Sequence, residues 1–133
     1  MSRSGSPQAI DDFRIDEERP GSATILLTIH GDVDLRVAGE LEDRLSSAID
    51  EEPSALVVDL SGTTFLDSMA LGVLLSGMKR LREQGGGFPV VAPGGDVRRI
   101  FEITLLDRIF ELHDSRGEAL AATRGGTGGA LDR

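Results

Sequence analysis

Six consecutive residues, Ala55-Leu56-Val57-Val58-Asp59-Leu60, limit the fold most tightly. The run is apolar on both alternating sets of positions except at Asp59, and it is β-branched. That is the pattern of a central strand rather than a half-solvated one, so it should be the most buried strand. Helical periods stand on either side of it. Val37, Leu41, Leu45, Ala48 and Ile49 share one side of a helix that Pro53 ends, and Asp34 is placed to cap its start. Leu71, Leu74, Leu75, Met78 and Leu81 share one side of a second helix, expected over about 68–84 and stopped by Gly85-Gly86-Gly87.

The remaining elements follow the same alternation. Residues 10–16 read as a strand, Arg19-Pro20-Gly21-Ser22 as a turn, and 23–30 as a second strand, so that the two can pair as a hairpin. In the second strand Ile25, Leu27 and Ile29 point one way and Thr24, Leu26 and Thr28 the other. Residues 88–92 and 109–113 are further strands. Val97, Ile100, Phe101 and Ile103 mark a helix, and 116–122 a short closing one. These elements predict an α/β single domain, with a mixed sheet of four to five strands opened by a β-hairpin and about four helices packed on it. It should occupy 10–122, between a flexible Ser-, Gly- and Pro-rich tail at 1–9 and a flexible Gly-rich tail at 123–133.

Composition excludes several functions. A formal net charge of -9 opposes nucleic acid and anionic membranes, which carry the same sign. With no cysteine there are no thiolate metal sites and no disulfides, which fits a cytoplasmic protein without cofactor or metal. No stretch approaches the roughly 20 apolar residues of a spanning helix.

The most informative segment runs from Val57 through Asp67-Ser68-Met69-Ala70-Leu71-Gly72 to Leu74. It resembles the signature of the STAS domain, the domain of sulfate transporters and anti-sigma factor antagonists. There a central strand leads through a short loop into Asp-Ser-(Ser/Thr)-Gly-Leu. Gly31-Asp32-Val33-Asp34, Gly86-Gly87, Val97-Arg98-Arg99-Ile100-Phe101-Glu102 and Leu106-Asp107-Arg108-Ile109-Phe110 stand where that family has its other landmarks. Met69 and Ala70 depart from the pattern, replacing the second hydroxyl residue and the glycine. Both favour helix, so they should stiffen the first turn, by up to about 1 kcal/mol for Ala over Gly.

The resemblance implies an anti-sigma factor antagonist, switched by phosphorylation of the serine that follows the Asp, here Ser68. Its implied partner is an anti-sigma factor with serine kinase activity, with a phosphatase to reset it. The unphosphorylated form would bind and free the sigma factor. Asp34, Asp67 and Ser68 would belong to the recognition surface, with Asp32 beside them or simply in a turn. A STAS-type scaffold in another complex, without sigma factor control, is the alternative.

A serine at a helix mouth is chemically suited to such a switch, because a phosphate there meets free backbone N–H groups and adds about -1.5 to -2 charge beside Asp67. Plain helix capping by Asp67 and Ser68 is the competing explanation. Opposite the Leu side of this helix lie Met69, Gly72, Val73 and Ser76, small or apolar residues that suit a docking face unless a neighbouring helix covers them. If the face is free, Val73→Glu should spare stability. A serine hydrolase is not expected, since neither His30 nor His113 lies in a plausible catalytic loop and no Gly-x-Ser-x-Gly occurs. A phospho-accepting receiver domain built on Asp59 lacks its late-strand lysine, as the only lysine is Lys79 within a helix.

Overall fold

The structure, a computed structural model, describes residues 12–129. Its strands are β1 (Arg14–Gly21), β2 (Thr24–Val33), β3 (Ala55–Leu66), β4 (Pro89–Val91) and β5 (Glu111–His113). The helices are α1 (Ala38–Asp50), α2 (Ser68–Glu83), α3 (Asp96–Ile103) and α4 (Arg116–Gly129), with one 3-10 turn at Leu106–Arg108. Among the described residues this is the mixed sheet, opened by a hairpin and carrying four helices, that the alternation predicts. The strands lie side by side in chain order, with β1 antiparallel to β2 and every later pair parallel.

The period-two pattern of β2 sorts the two faces of the sheet. Ile25, Leu27 and Ile29 join Leu56, Val58, Leu60 and Val90 in the main core, under Leu41, Leu45 and Ile49 of α1 and Leu71, Leu74, Met78 and Leu81 of α2. Phe101 closes it, stacked edge-on to Phe110 at 5.4 Å. The opposite face carries a smaller cluster of Leu26, Val57 and Val91, covered by Ala119 of α4. On that face Asp59 is buried and paired with Arg116 at 3.0 Å, while Arg116 also donates to the Thr28 hydroxyl at 2.9 Å.

Several boundaries differ from the sequence expectation, each for a physical reason. Strand β1 runs to Gly21, so the tight turn is Ser22-Ala23 and not Arg19–Ser22. Pro20 is tolerated because β1 is an edge strand. Strand β3 continues six residues past Leu60, because β2 also runs on and pairs with it as far as Val33 opposite Leu66, through two irregularities in register. Asp34 does not cap α1; the N-cap is Val37, without a side-chain bond, and Asp34 instead turns the chain by accepting the Arg36 N–H at 3.0 Å. Strand β5 begins only at Glu111, since Ile109 and Phe110 donate back to Leu106 in the turn. Helix α4 passes Ala122 and reaches Gly129, so 123–129 of the expected tail continue a helix. Glycine weakens a helix without blocking its hydrogen-bond ladder. Residues 1–11 and 130–133 lie outside the described residues, so the first two positions of the strand expected over 10–16 fall there, and the described strand begins at Arg14.

Gly31 sets the close approach where β2 leaves the hairpin. Its φ is +89°, and a Cβ there would stand 2.8 Å from the carbonyl oxygen of Asp12. Gly31→Ala is therefore expected to lower unfolding free energy by about 1–3 kcal/mol, measured by urea denaturation.

Candidate functional site

The site gathers where β2 and β3 end and α2 begins. Asp67 is extended, with φ -97° and ψ -177°, and forms the N-cap of α2. One carboxylate oxygen accepts the Ala70 N–H at 2.9 Å, and the other accepts the Leu35 N–H, also at 2.9 Å. The Asp67 N–H in turn donates to the Val33 carbonyl at 3.2 Å. A single side chain thus starts the helix and clamps the β2–α1 loop to it. Ala70 is fully buried beneath this cap, which suits its methyl group as well as its helix preference.

Ser68 is the first residue of α2 and is exposed. Its hydroxyl makes no hydrogen bond to a described residue, because Asp67 does the capping. The amide N–H groups of Ser68 and Met69, at the positive end of the helix dipole, have no carbonyl partner within the helix.

The surroundings combine acid with exposed apolar area. Asp32 accepts the Thr64 hydroxyl, and Asp34 is held by the Arg36 guanidinium at 2.7 Å. The Arg36 hydrogen bonds hold the Asp34 carboxyl below the usual carboxylate range. Asp34 is thus ionised at neutral pH, and its pairing is lost only as pH falls into the acid range. Leu35 is 66% exposed, and Phe65 and Met69 are about half exposed. Leu35 follows the Asp34 turn, while Phe65 stands opposite Asp32 in the strand register. Neither is singled out by a period in the sequence, since both fall between elements as the pattern reads them. Three large apolar side chains thus stand in water beside one free hydroxyl, a grouping unlike apolar residues scattered singly over a surface.

The proposed docking face on α2 is only partly free. Met69, Gly72 and Ser76 are exposed, but Val73 is half-buried and lines the cleft between α1 and α2 with Leu45, Ile49 and Gly77. Here the covering helix anticipated as the competing explanation is real. Val73→Glu is therefore a poor probe and should cost about 1–3 kcal/mol of stability. Gly72 has open space where a Cβ would go. Gly72→Arg should leave the melting temperature unchanged or slightly raised, and should weaken a partner lying on this face at least tenfold by calorimetry.

The other candidate chemistries are structurally engaged. Asp59 is bound by Arg116 and by the Ser61 N–H and hydroxyl, at 2.9 and 2.6 Å. His30 faces Asp16 at 3.2 Å and His113 faces Glu111 at 2.6 Å, both within the strands that carry them or their neighbours. Among the described residues no cluster of three His, Asp or Glu side chains is arranged to hold a metal, and no helix is long and apolar enough to cross a membrane.

Comparison with known proteins gives a consistent result. The family model described as "STAS domain" matches residues 14–119. The chain is 37% identical over 101 residues to the anti-sigma-F factor antagonist RsfB of Mycobacterium tuberculosis, covering 76% of this chain and 82% of RsfB. It is 29% identical over 90 residues to the anti-sigma-B factor antagonist of Listeria monocytogenes, covering 68% and 79% of the two chains. The crystal structure of an anti-sigma factor antagonist from Mycobacterium paratuberculosis superposes with a TM-score of 0.79 at 32% identity, over 86% of this chain and 96% of that one.

Proposed function

The chain belongs to the STAS domain family, whose members similar to it are regulatory binding proteins rather than enzymes, and from this we propose that it is an anti-sigma factor antagonist controlled at Ser68. In the unphosphorylated state it binds an anti-sigma factor that is also a serine kinase, and so releases a sigma factor. Phosphorylation of Ser68 by that partner ends the binding, and a phosphatase restores it. The setting is the cytoplasm.

The observation that carries this reading is the exposed Ser68 hydroxyl, free of any described partner at the first position of α2. Asp67 occupies the Ala70 N–H, so the serine is not needed for capping and can be modified without loss of the helix start. A phosphate there would be met by the Ser68 and Met69 amides and the helix dipole, so the fold survives and the change falls on the outer surface. Asp34, Asp67, Met69, Gly72 and Ser76 form that surface with Leu35 and Phe65, while Val73 contributes its exposed edge.

The test is to incubate the protein with ATP and each anti-sigma kinase of the same genome, then measure intact mass and complex formation. A single phosphate that Ser68→Ala abolishes, together with a complex that the phosphate dissolves, supports the reading. A complex with no phosphate at Ser68, or no complex with any such kinase, overturns it in favour of a scaffold role.

A further inference from the structure

The chain around Ser68 carries one cation among several acids. The segments that frame the serine, 31–37 and 63–70, hold Asp32, Asp34 and Asp67 and a single basic residue, Arg36. The fold makes little use of that arginine. Its side chain is 53% exposed, and an exposed pair such as the one it forms with Asp34 adds little to stability.

The guanidinium is held by one edge only. Nε donates to the two oxygens of Asp34 at 3.1 and 3.2 Å, and Nη2 donates to one of them at 2.7 Å. The backbone N–H of Arg36 fixes the same carboxylate at 3.0 Å, so Asp34 is itself steadied. Nη1 has no hydrogen-bond partner among the described residues, which leaves the edge between Nη1 and Nη2 open. A guanidinium presents five N–H donors in a rigid fork and can serve two anions at once, one on each edge. Asp34 by hydrogen bonding, and Asp32 by charge alone, both raise the pKa of Arg36, so the group stays cationic.

The loop that carries Arg36 is fastened to the residue before Ser68. The Leu35 N–H donates to an Asp67 carboxylate oxygen at 2.9 Å, and the Asp67 N–H donates to the Val33 carbonyl at 3.2 Å. Arg36 follows Leu35 and Ser68 follows Asp67, so standard bond lengths across this contact put the two Cα atoms about 10 Å apart. An extended arginine reaches about 7 Å from its Cα and a phosphoserine about 4 Å, so together they span that gap.

We propose that Arg36 is a positioning residue for the phosphate of Ser68, binding phosphate oxygens of its own chain with the open edge while Asp34 holds the other. The inference rests on the reading of Ser68 as the phosphorylated residue and adds where the phosphate goes. Guanidinium–phosphate bonds are charge-assisted and bidentate, which gives them direction as well as strength. Held in this way, the phosphate lies over the β2–α1 loop beside Leu35, so phosphorylation covers that loop as well as charging the helix mouth. No other basic side chain of the two framing segments can do this, because there is none.

The test uses the full chain with phosphoserine installed at position 68 during translation, so that it depends on no kinase. Phosphorus NMR follows the second ionisation of the phosphate, and nitrogen-15 NMR follows the Arg36 Nε–H. A bound cation favours the dianion, so the second proton should leave at lower pH in the wild type than in Arg36→Gln, with Arg36→Lys between them. Asp32, Asp34 and Asp67 push that ionisation the other way, and they do so in every variant. Arg80→Gln removes the same charge about 18 Å along α2, beyond a Debye length, and should leave the wild-type curve in place. The Arg36 Nε–H resonance should shift on phosphorylation. The proposal is overturned if the wild type and Arg36→Gln titrate together, or if Arg80→Gln moves the curve as far as Arg36→Gln does. It is equally overturned if Arg36→Lys restores the whole shift, which would reduce the effect to net charge, or if the Nε–H resonance does not move. Any of these removes the clamp alone, and the Ser68 switch still stands or falls by the kinase experiment.

Discussion

Phosphorylated Ser68 is expected to bind the kinase partner a hundredfold or more weakly than the unmodified chain, while Ser68→Ala binds as the wild type does. The added group brings about -1.5 to -2 charge to a surface that already holds Asp32, Asp34 and Asp67, of which only Asp34 has a guanidinium beside it. A partner shaped for that acid surface with a neutral hydroxyl must then desolvate a dianion or accept like charges in contact. Several kcal/mol against binding is a reasonable scale, and about 2.7 kcal/mol is already a hundredfold. Ser68→Glu carries a single charge on a longer stem, so its loss should be smaller but in the same direction. Titration calorimetry of the three forms settles the order, and equal affinities for the phosphorylated and unmodified chains would remove the switch. Far-UV circular dichroism should be the same for all, because Asp67 rather than Ser68 caps α2.

Arg116→Ala is expected to destabilise the domain by about 3 kcal/mol in urea denaturation. Asp59 has 2% of its side chain exposed, with one oxygen satisfied by Ser61 and the other by Arg116. Removing the guanidinium leaves a buried carboxylate with half its partners. Breaking such a pair typically costs roughly 3–5 kcal/mol, and the lower end applies because Arg116 itself is 41% exposed and water screens part of the attraction. Adding Asp59→Asn to Arg116→Ala should recover much of the loss, since no buried charge then remains. A single variant as stable as the wild type would mean that Ser61 alone suffices for Asp59.

Much of the architecture could be read directly from residue patterns, and the exceptions are instructive. The run 55–60 announces a strand covered on both faces, and the structure covers it, with Val58 under α1 and α2 and Val57 under α4. Its continuation through Ser61-Gly62-Thr63-Thr64-Phe65 has no apolar alternation, because the extra length comes from pairing with β2, a long-range cause that no local pattern records. Asp34 illustrates the reverse error. An aspartate before a helical period is a common cap, yet here its carboxylate is satisfied two residues on by Arg36, and the helix begins at Ala38 without a side-chain cap.

At the candidate site, Asp67 and Ser68 were visible through the ordered landmarks around them, whereas the second hydrogen bond of Asp67, to Leu35, joins residues 32 apart. The same distance hides Leu35 and Phe65 from any periodic search. Asp59, weighed from sequence as a phosphate acceptor, proves to be half of an ion pair whose other half comes from the last helix.

The chain-order arrangement of the strands has a consequence for how the protein is made. As the polypeptide leaves the ribosome, each new strand can settle beside the one just formed, so assembly needs no element that has yet to be synthesised until the sheet is nearly complete. Only α4 arrives late. Until it emerges, Leu26, Val57 and Val91 form a bare oily sheet surface with the Asp59 charge beside it, and a nascent chain stalled before Ala119 would be the form most in need of a chaperone.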